Sequence, residues 1–467
     1  MRITNLMMSN TMLGNINRNM RRMHDIENKI TRNSMIGRPS DNPLVASRAL
    51  RFTNTQSQIA QHQRNVDQAT SWTEITEQAF NDLNSITQRL NDLMVTVDGV
   101  EDLSDKQKIA TEINSLVDEL QSIMNKSFAG RYIFSGLRTN EPNFLTRDQP
   151  NLRFEDITKQ FERNHMETTF VMDMTDPGNP TMIEVNRIRL PHSGNEGSVR
   201  LNGQDIPSVP RDDNGNVDFR AIAEAGGGPF HNPDTGEIFL PSDAPFPLDV
   251  MYDQTGFSRG DLNPIVFSTA TRVDVVDGLE TRTVFTMDNQ MLEFEFGVNT
   301  RLPINSLGKD IVTAQMFADL RGFANDILNK EFLTPEEVRA AIESDIFEGI
   351  LPLDTDIDEE VARRMQQERS VMETITNDRF NNLIGRMDAH ISNISVQHTE
   401  LGTRMGRLEM ISERLEDDSL VFEELATNNH GVDTAEMIMK MSSAEVALMA
   451  SMQIGLNNMQ MSLLNFL

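Results

Sequence analysis

Cysteine is absent from all 467 residues, tryptophan occurs once and tyrosine twice. The missing thiols exclude disulfides, thiolate zinc sites and cysteine nucleophiles together. Such a chain is compatible with travelling unfolded and then persisting outside the cell without cross-links. Aromatic residues make up only 6% of the chain against 38% hydrophobic residues. A core must therefore be built from aliphatics and the 29 methionines, a composition that suits helix seams better than a thick globular interior. No run approaches the roughly 18 uncharged apolar residues of a membrane span. The N-terminus also lacks the compact apolar core and small-residue cleavage site of a secretory signal. The expectation is a soluble chain with no membrane partner.

Positive charge is scarce as well. The formal net charge is −29, which would repel phosphates and argues against nucleic acid as a partner. The balance is uneven: residues 1–51 hold nine Arg/Lys against three acids, and residues 331–378 hold fourteen acids against four Arg. A basic, amphipathic N-terminus has the look of a transit peptide or of a solvated basic face, but its apolar pattern has a counterpart at the far end of the chain.

That pattern repeats in sevens. Leu6, Leu13 and Met20 form one series and Ile16, Met23 and Ile30 another, together one stripe on a helix reaching about Asn33. Ile36-Gly37-Arg38-Pro39-Ser40-Asp41-Asn42-Pro43 then breaks the helix, because two prolines four apart cannot both occupy a helix interior. Pro43 fits the first turn of a new helix capped by Asp41 or Asn42. Ala79, Phe80, Leu83, Ile86, Leu90, Leu93 and Val97 stripe that helix, which Gly99 ends. Ser104 with Gln107 reads as a capping box for a third helix, striped by Ile109, Ile113, Leu116, Leu120 and Ile123.

At Gly130 the period drops from helical spacing to two. Thr169 to Met172, Met182 to Val185 and the alternation Leu292, Phe294, Phe296, Val298 read as strands, separated by Gly/Pro-rich loops. Helices return near Asp310. Thr334-Pro335-Glu336-Glu337 opens a short one, and a rod from about Asp358 carries Ile384, Met387, Ile391, Ile394, His398, Leu401, Met405 and Leu408. After Asn428-Asn429-His430-Gly431, Asp433 and Glu436 cap a last helix striped by Met441, Leu448, Met452, Leu456, Met459, Leu463 and Phe466.

The fold class expected is α+β and multidomain, with discontinuous helical-rod or coiled-coil domains from both chain ends around an all-β insert with short helices. The divisions are 1–43 (inner helix and bend), 44–144 (helical rod), 145–308 (β-rich outward insert), 309–357 (short helical segment), 358–430 (C-terminal rod) and 431–467 (inner helix). Neither terminal seam can be buried by its own segment, so the terminal helices are expected to pair with each other, with neighbouring subunits, or both.

Chemistry finds no foothold. His390 and His398 stand eight apart, beyond a helical two-His metal spacing, and His398 on the apolar stripe reads as a register-setting polar residue. Asp212-Asp213-Asn214-Gly215 places its glycine at position four rather than six of a calcium loop. No phosphate-binding loop, nucleophile elbow, zinc-protease or dinucleotide fingerprint occurs, so no catalytic, cofactor or metal residues are assigned and a non-enzymatic protein is expected.

Three segments resemble the flagellin and hook-associated protein 3 family of the bacterial flagellum. They are Arg38-Pro39-Ser40-Asp41-Asn42-Pro43 at the first break, Gly130-Arg131-Tyr132-Ile133-Phe134-Ser135-Gly136, and the C-terminus from Thr434 to Ser462-Leu463-Leu464-Asn465-Phe466-Leu467. Pro43 and the Gly130–Gly136 segment favour the hook–filament junction branch over flagellin. The resemblance implies a ring or tubular layer of copies between hook and filament, touching an adjacent hook-associated protein and flagellin. It also implies export through the flagellar type III apparatus, an export chaperone on the C-terminal helix, and an extracellular location at the junction. The implied assembly interface is Leu6, Leu13, Ile16, Met20 and Met23 with Leu448, Met452, Leu456, Met459, Leu463 and Phe466. Pro39, Ser40, Asp41, Pro43, Gly130, Arg131, Tyr132, Phe134 and Gly136 would be structural motif residues. The reading from another class is a coiled-coil surface adhesin that binds through its β insert.

Overall fold

The structure, a computed structural model, describes residues 5–464 except 36, 41, 98–102, 174–180, 195–196, 213–214, 277–278, 288–289, 298, 329–333, 348–349 and 353–354. Helices bracket the chain: α1 (Asn5–Arg32), α2 (Pro43–Val97) and α3 (Leu103–Met124) come first. Between α3 and the closing helices the described residues form fourteen strands, a 3-10 turn at Arg163–His165 and three short α-helices, α4 (Phe219–Glu224), α5 (Pro264–Phe267) and α6 (Gly308–Ile311). The closing helices are α7 (Ala314–Leu328), α8 (Pro335–Phe347), α9 (Ile357–His430) and α10 (Thr434–Leu464). At 1.5 Å per residue the 74 residues of α9 extend roughly 110 Å. The expected α+β class, helices at both ends and strands between, is the one observed.

Helix boundaries follow local chemistry. Asn33 takes φ +46°, while its N–H donates to the Ile30 carbonyl (3.1 Å) and the Ser34 N–H to the Lys29 carbonyl (3.2 Å), a left-handed cap that closes α1. Pro43 opens α2, and the Asn42 side chain accepts from the Val45 N–H (3.3 Å). Asp41, the other candidate cap, lies outside the described residues, as do Gly99 and Val298. Thr334 and Glu337 make a reciprocal capping box on α8. One expectation is corrected: α3 already includes Leu103, so Ser104 sits inside its first turn rather than capping it.

The chain forms two compact units. The first comprises Met1–Gln68, Glu295–Thr300 and Arg407–Leu467. Here the start of α2 runs antiparallel to the end of α9: Phe52 and Phe422 meet at 6.4 Å between ring centroids, and the Asn429 side chain donates to the Val45 carbonyl (3.1 Å). On these two stretches and beside them Leu44, Leu50, Met410, Leu420 and Val421 stay exposed.

The second unit comprises Ala69–Phe294 and Arg301–Gly406 and holds the main core. Ala79, Phe80, Leu83, Ile86, Leu90 and Leu93 are all buried, as the spacing predicts. On α3 the buried row is Ala110, Ile113, Val117, Leu120 and Met124, so Ile109, Leu116 and Ile123 flank it. Across from α2, Met387, Ile394 and Leu401 of α9 are buried, with His398 between them. His398 stacks on Phe80 (5.2 Å, 2°), meets Glu77 Oε1 at 2.9 Å and Asn84 at 3.0 Å, and so ties the two helices at one register.

The Gly130–Gly136 segment closes the helical part of this unit. Strands β1 (Ser127–Phe128) and β2 (Arg131–Tyr132) form a hairpin whose two turn residues, Ala129 and Gly130, both have positive φ (49° and 77°). Phe134 is fully buried and edge-on to Phe80 (6.1 Å), and its carbonyl accepts from the Gly308 N–H (2.8 Å). At Gly136 a Cβ would meet Gln290 at 2.9 Å, and φ is +64°.

Two larger sheets follow. Strands β3 (Gln149–Phe161), β6 (Val199–Leu201), β7 (Gln204–Asp205), β10 (Leu248–Phe257), β11 (Thr269–Val276) and β12 (Leu279–Phe285) make a six-stranded sheet ordered β12-β11-β3-β10-β6-β7. Strands β4 (Glu167–Asp173), β5 (Thr181–Arg189), β8 (Phe230–Asn232) and β9 (Glu237–Leu240) make a second, ordered β4-β5-β9-β8. Both contain only antiparallel pairs. The hairpin β13 (Glu293–Gly297) and β14 (Thr300–Pro303) leads back to the helices. The six-stranded sheet packs its inward residues Phe154, Ile157, Phe161, Val250 and Tyr252 with Ile188 and Ile238 of the four-stranded sheet.

Ion pairs lock the four-stranded sheet onto α7 and α9. Arg187 is wholly buried and bonds Glu167 (3.0 Å), Glu237 (2.5 Å) and Asp326 (2.9 Å). Arg386 reaches from α9 to Glu167 (3.0 Å) and to Asp319 of α7. Burial alone would raise the Glu167 carboxyl, but Arg187, Arg189 and Arg386 outweigh it and hold it well below the carboxylate range.

Candidate assembly interface

Helix α1 has 28 residues and, alone in water, little to hold it, since a single amphipathic helix gains most of its stability from a partner. Its partner within the chain is α10. Asp433 Oδ1 accepts from the N–H groups of Ala435 (3.0 Å) and Glu436 (3.1 Å) and so starts α10.

The contact is a heptad seam. Ile26, Met437 and Ala444 are buried in it, with Met23, Ile30, Val432 and Met441 packed around them. Further along, the Asn19 side chain donates to Ser451 Oγ (2.7 Å) and to the Ala447 carbonyl (3.4 Å). At the far end Met12 lies over Gly455, where any Cβ would collide with its methyl group. The order of these contacts makes the helices antiparallel. On α1 the row is Met12, Ile16, Asn19, Met23, Ile26 and Ile30. On α10 it is Met437, Met441, Ala444, Leu448, Ser451 and Gly455. Both rows advance by alternating steps of four and three, the geometry of knobs-into-holes packing.

Of the interface residues expected from sequence, Ile16, Met23 and Leu448 fall on these rows. Leu13, Met20, Met452 and Leu456 do not: they stand one residue aside and are 53%, 49%, 44% and 58% exposed. The side chains of Leu6, Met459 and Leu463, and Phe466 altogether, lie outside the described residues. Sequence reading missed Met12, Asn19, Ile26, Met437 and Gly455. The signal was present as a third series seven apart, Met12, Asn19 and Ile26, hidden because its middle member is polar. The small side chains at Gly455, Ala447 and Ser451 let α1 approach α10 closely.

The result is a helix pair with one finished side and one bare side. Exposed apolar side chains elsewhere around α10 include Ile438, Met439, Val446, Met449 and Ile454. Of the motif residues, Pro39 and Ser40 are exposed in the turn before α2, and Asp41 lies outside the described residues. Gly130, Arg131, Tyr132, Phe134 and Gly136 all belong to the second unit. Among the described residues no group of three or more His, Asp or Glu could hold a metal ion, and no helix is long and apolar enough to cross a membrane.

A helical pair drawn from opposite chain ends, a proline-punctuated first break and a positive-φ hairpin closing the first helical part define a class. Residues 3–139 match the family model of the bacterial flagellin N-terminal helical region. Within it the likeness is to hook-associated protein 3. Flagellar hook-associated protein 3 of Salmonella typhimurium strain LT2 is 25% identical over 146 residues, 31% of this chain and 46% of that protein. The Escherichia coli K12 protein of the same name is 30% identical over 108 residues, 23% of this chain and 34% of that one. The chain thus matches about half or less of the length of these curated relatives. The crystal structure of flagellar hook associated protein-3 from Legionella pneumophila shares 11% identity, covering 81% of this chain and 97% of that one at a TM-score of 0.35.

Proposed function

We propose that the chain is a structural subunit of the bacterial flagellum, placed at the hook–filament junction and assembling with copies of itself through α1 and α10. The observation that carries this reading is the bare apolar side of the α1–α10 pair: Leu13, Met20, Met452 and Leu456 remain exposed although the seam beside them is complete. Fully burying one Leu or Met side chain contributes about 1.5–3 kcal/mol. A few such side chains per subunit, repeated around a ring or tube, suffice for cohesion that one subunit cannot supply. The adaptable methionines in this stripe would let the same face meet a copy, an adjacent hook-associated protein or flagellin. Before assembly that face would be the natural target of an export chaperone during passage through the flagellar type III apparatus to the extracellular junction.

The expected outcome for Leu13→Asp is loss of the subunit from hook–filament junctions, with unassembled flagellin released into the medium, while the second unit unfolds at its usual midpoint. Electron microscopy of cells carrying only this variant checks it. Normal junctions and retained filaments would overturn the interface.

A further inference from the structure

Among the described residues, the charged interior of the second unit contains more positive groups than its carboxylates serve. Arg187, Arg189, Arg379, Arg386 and Lys159 face Glu167, Glu237, Asp326 and Asp319. Each carboxylate is already occupied: Glu167 by Arg187, Arg189 and Arg386, Glu237 by Arg187, and Asp326 by Arg187 and Arg189. Asp319 accepts from Gln315 (2.8 Å), Arg386 and His390 (3.1 Å).

Two cations are left short. Arg379, only 4% exposed, donates to the Asp326 carbonyl (3.1 Å) but stands 3.6 Å from that residue's carboxylate, and its Nε has no hydrogen-bond partner. The Lys159 ammonium is buried with no hydrogen-bond partner, 4.8 Å over the Phe161 ring. Arg189 Nε is likewise without a hydrogen bond. Burial drives the Arg379 guanidinium below its ordinary value, and Arg187 and Arg189 beside it add to the effect. Burial lowers Lys159 to about 8, with Asp319 as its opposing charge. Buried donors left unpaired are costly, and native interiors nearly always provide them with a partner.

The geometry offers a place for that partner. Arg189, Arg379 and Arg386, with Glu167, Asp319, Phe323 and Leu383, line a recess of about 10 Å³, the space of a single small particle. A water molecule could accept from two donors but would leave the charge excess untouched. We propose that this recess binds one small monovalent anion of the halide class, chloride in a saline medium, held between the Arg379 and Arg189 guanidiniums and neutralising the surplus cation. Gly322 supports the arrangement, because any Cβ on α7 at that position would collide with the Arg189 guanidinium. The anion would join β5, α7 and α9 at one point, so its binding would stabilise the second unit.

Thermal unfolding of the full chain in sodium chloride and in sodium gluconate at equal ionic strength tests this. Ligand linkage predicts a midpoint that climbs with the logarithm of halide concentration once the site begins to fill, and that stays flat in gluconate. Crystals of the wild-type chain soaked in bromide should show an anomalous peak in the recess. Arg379→Gln should abolish the halide dependence. Should that variant fail to fold, the wild-type bromide peak decides alone. Equal midpoints in the two salts together with a recess free of bromide, a water molecule only, or bromide solely at surface sites, would overturn the proposal.

Discussion

The two units of this chain solve burial in opposite ways. The second surrounds its aromatic and aliphatic core with sheet and helix and locks the edge with ion pairs around the buried Arg187. In the first, the α1–α10 seam is narrow and lined with small or polar residues such as Ala444, Ser451 and Asn19, while larger apolar side chains one position away face outward. One unit is complete as a folded body. The other leaves apolar side chains exposed beside its seam, the feature on which the proposed assembly rests.

That contrast can be broken most forcefully at Arg187. Arg187→Ala removes the buried cation shared by Glu167, Glu237 and Asp326. Glu167 keeps Arg189 and Arg386, Asp326 keeps Arg189, and Glu237 loses its closest partner. The loss should therefore approach that of a broken buried pair, about 3–5 kcal/mol. Chemical denaturation followed by near-UV absorption should show the loss in the second unit, with the helical signal of α1 and α10 retained. An effect below about 1 kcal/mol would mean that the network is not what locks the sheet to the helices.

Acid sharpens the comparison with a smaller effect. Burial pushes the His231 imidazole on β8 down to about 4 from its ordinary 6.5. Between those values the unfolded chain takes up the proton that the folded chain refuses. This contribution to stability is therefore complete above pH 6.5 and is lost progressively as pH falls toward 4. Denaturation midpoints of the second unit measured across this window should decline, and His231→Gln should flatten the part of the decline that belongs to this residue. An identical slope in the variant would assign the acid sensitivity elsewhere.

The smallest expected effect lies in the first unit. Asn19→Ala removes the Asn19–Ser451 hydrogen bond at a cost of about 0.5–1.5 kcal/mol. It should also loosen the register of α1 against α10, because a polar pair in an apolar seam is satisfied at only one alignment. Cross-linking of cysteine pairs introduced at Met12/Gly455 and at neighbouring offsets reads the register directly. A single unchanged offset in the Asn19→Ala background would show that apolar packing alone fixes it.

Much of this was legible without coordinates. The proline pair at Pro39 and Pro43, the capping box at Thr334 and Glu337, and the change of period after Gly130 are local signals, written in backbone sterics and hydrogen-bond geometry that a few neighbouring residues determine. The core rows of α2 and α9, including His398, were readable because a strict spacing admits one buried face. The α1–α10 seam was only half readable. Seven-residue periodicity finds that a stripe exists, yet adjacent series such as Leu13–Met20 and Met12–Asn19–Ile26 differ by a single 100° step. Which one meets α10 depends on where Gly455 lets Met12 approach and where Ser451 receives Asn19. No spacing rule announces the ion network either, because Glu167, Arg187, Glu237, Asp326 and Arg386 are scattered over five elements and meet only when the sheet closes on α7 and α9.

The sequence by itself thus determined that both chain ends carry apolar helical stripes demanding partners, since period and composition are properties of each segment alone. Only the tertiary structure decided which rows satisfy each other and which are left bare. That choice rests on the fit of particular side chains across more than four hundred residues of separation, and a stripe cannot encode its partner's holes.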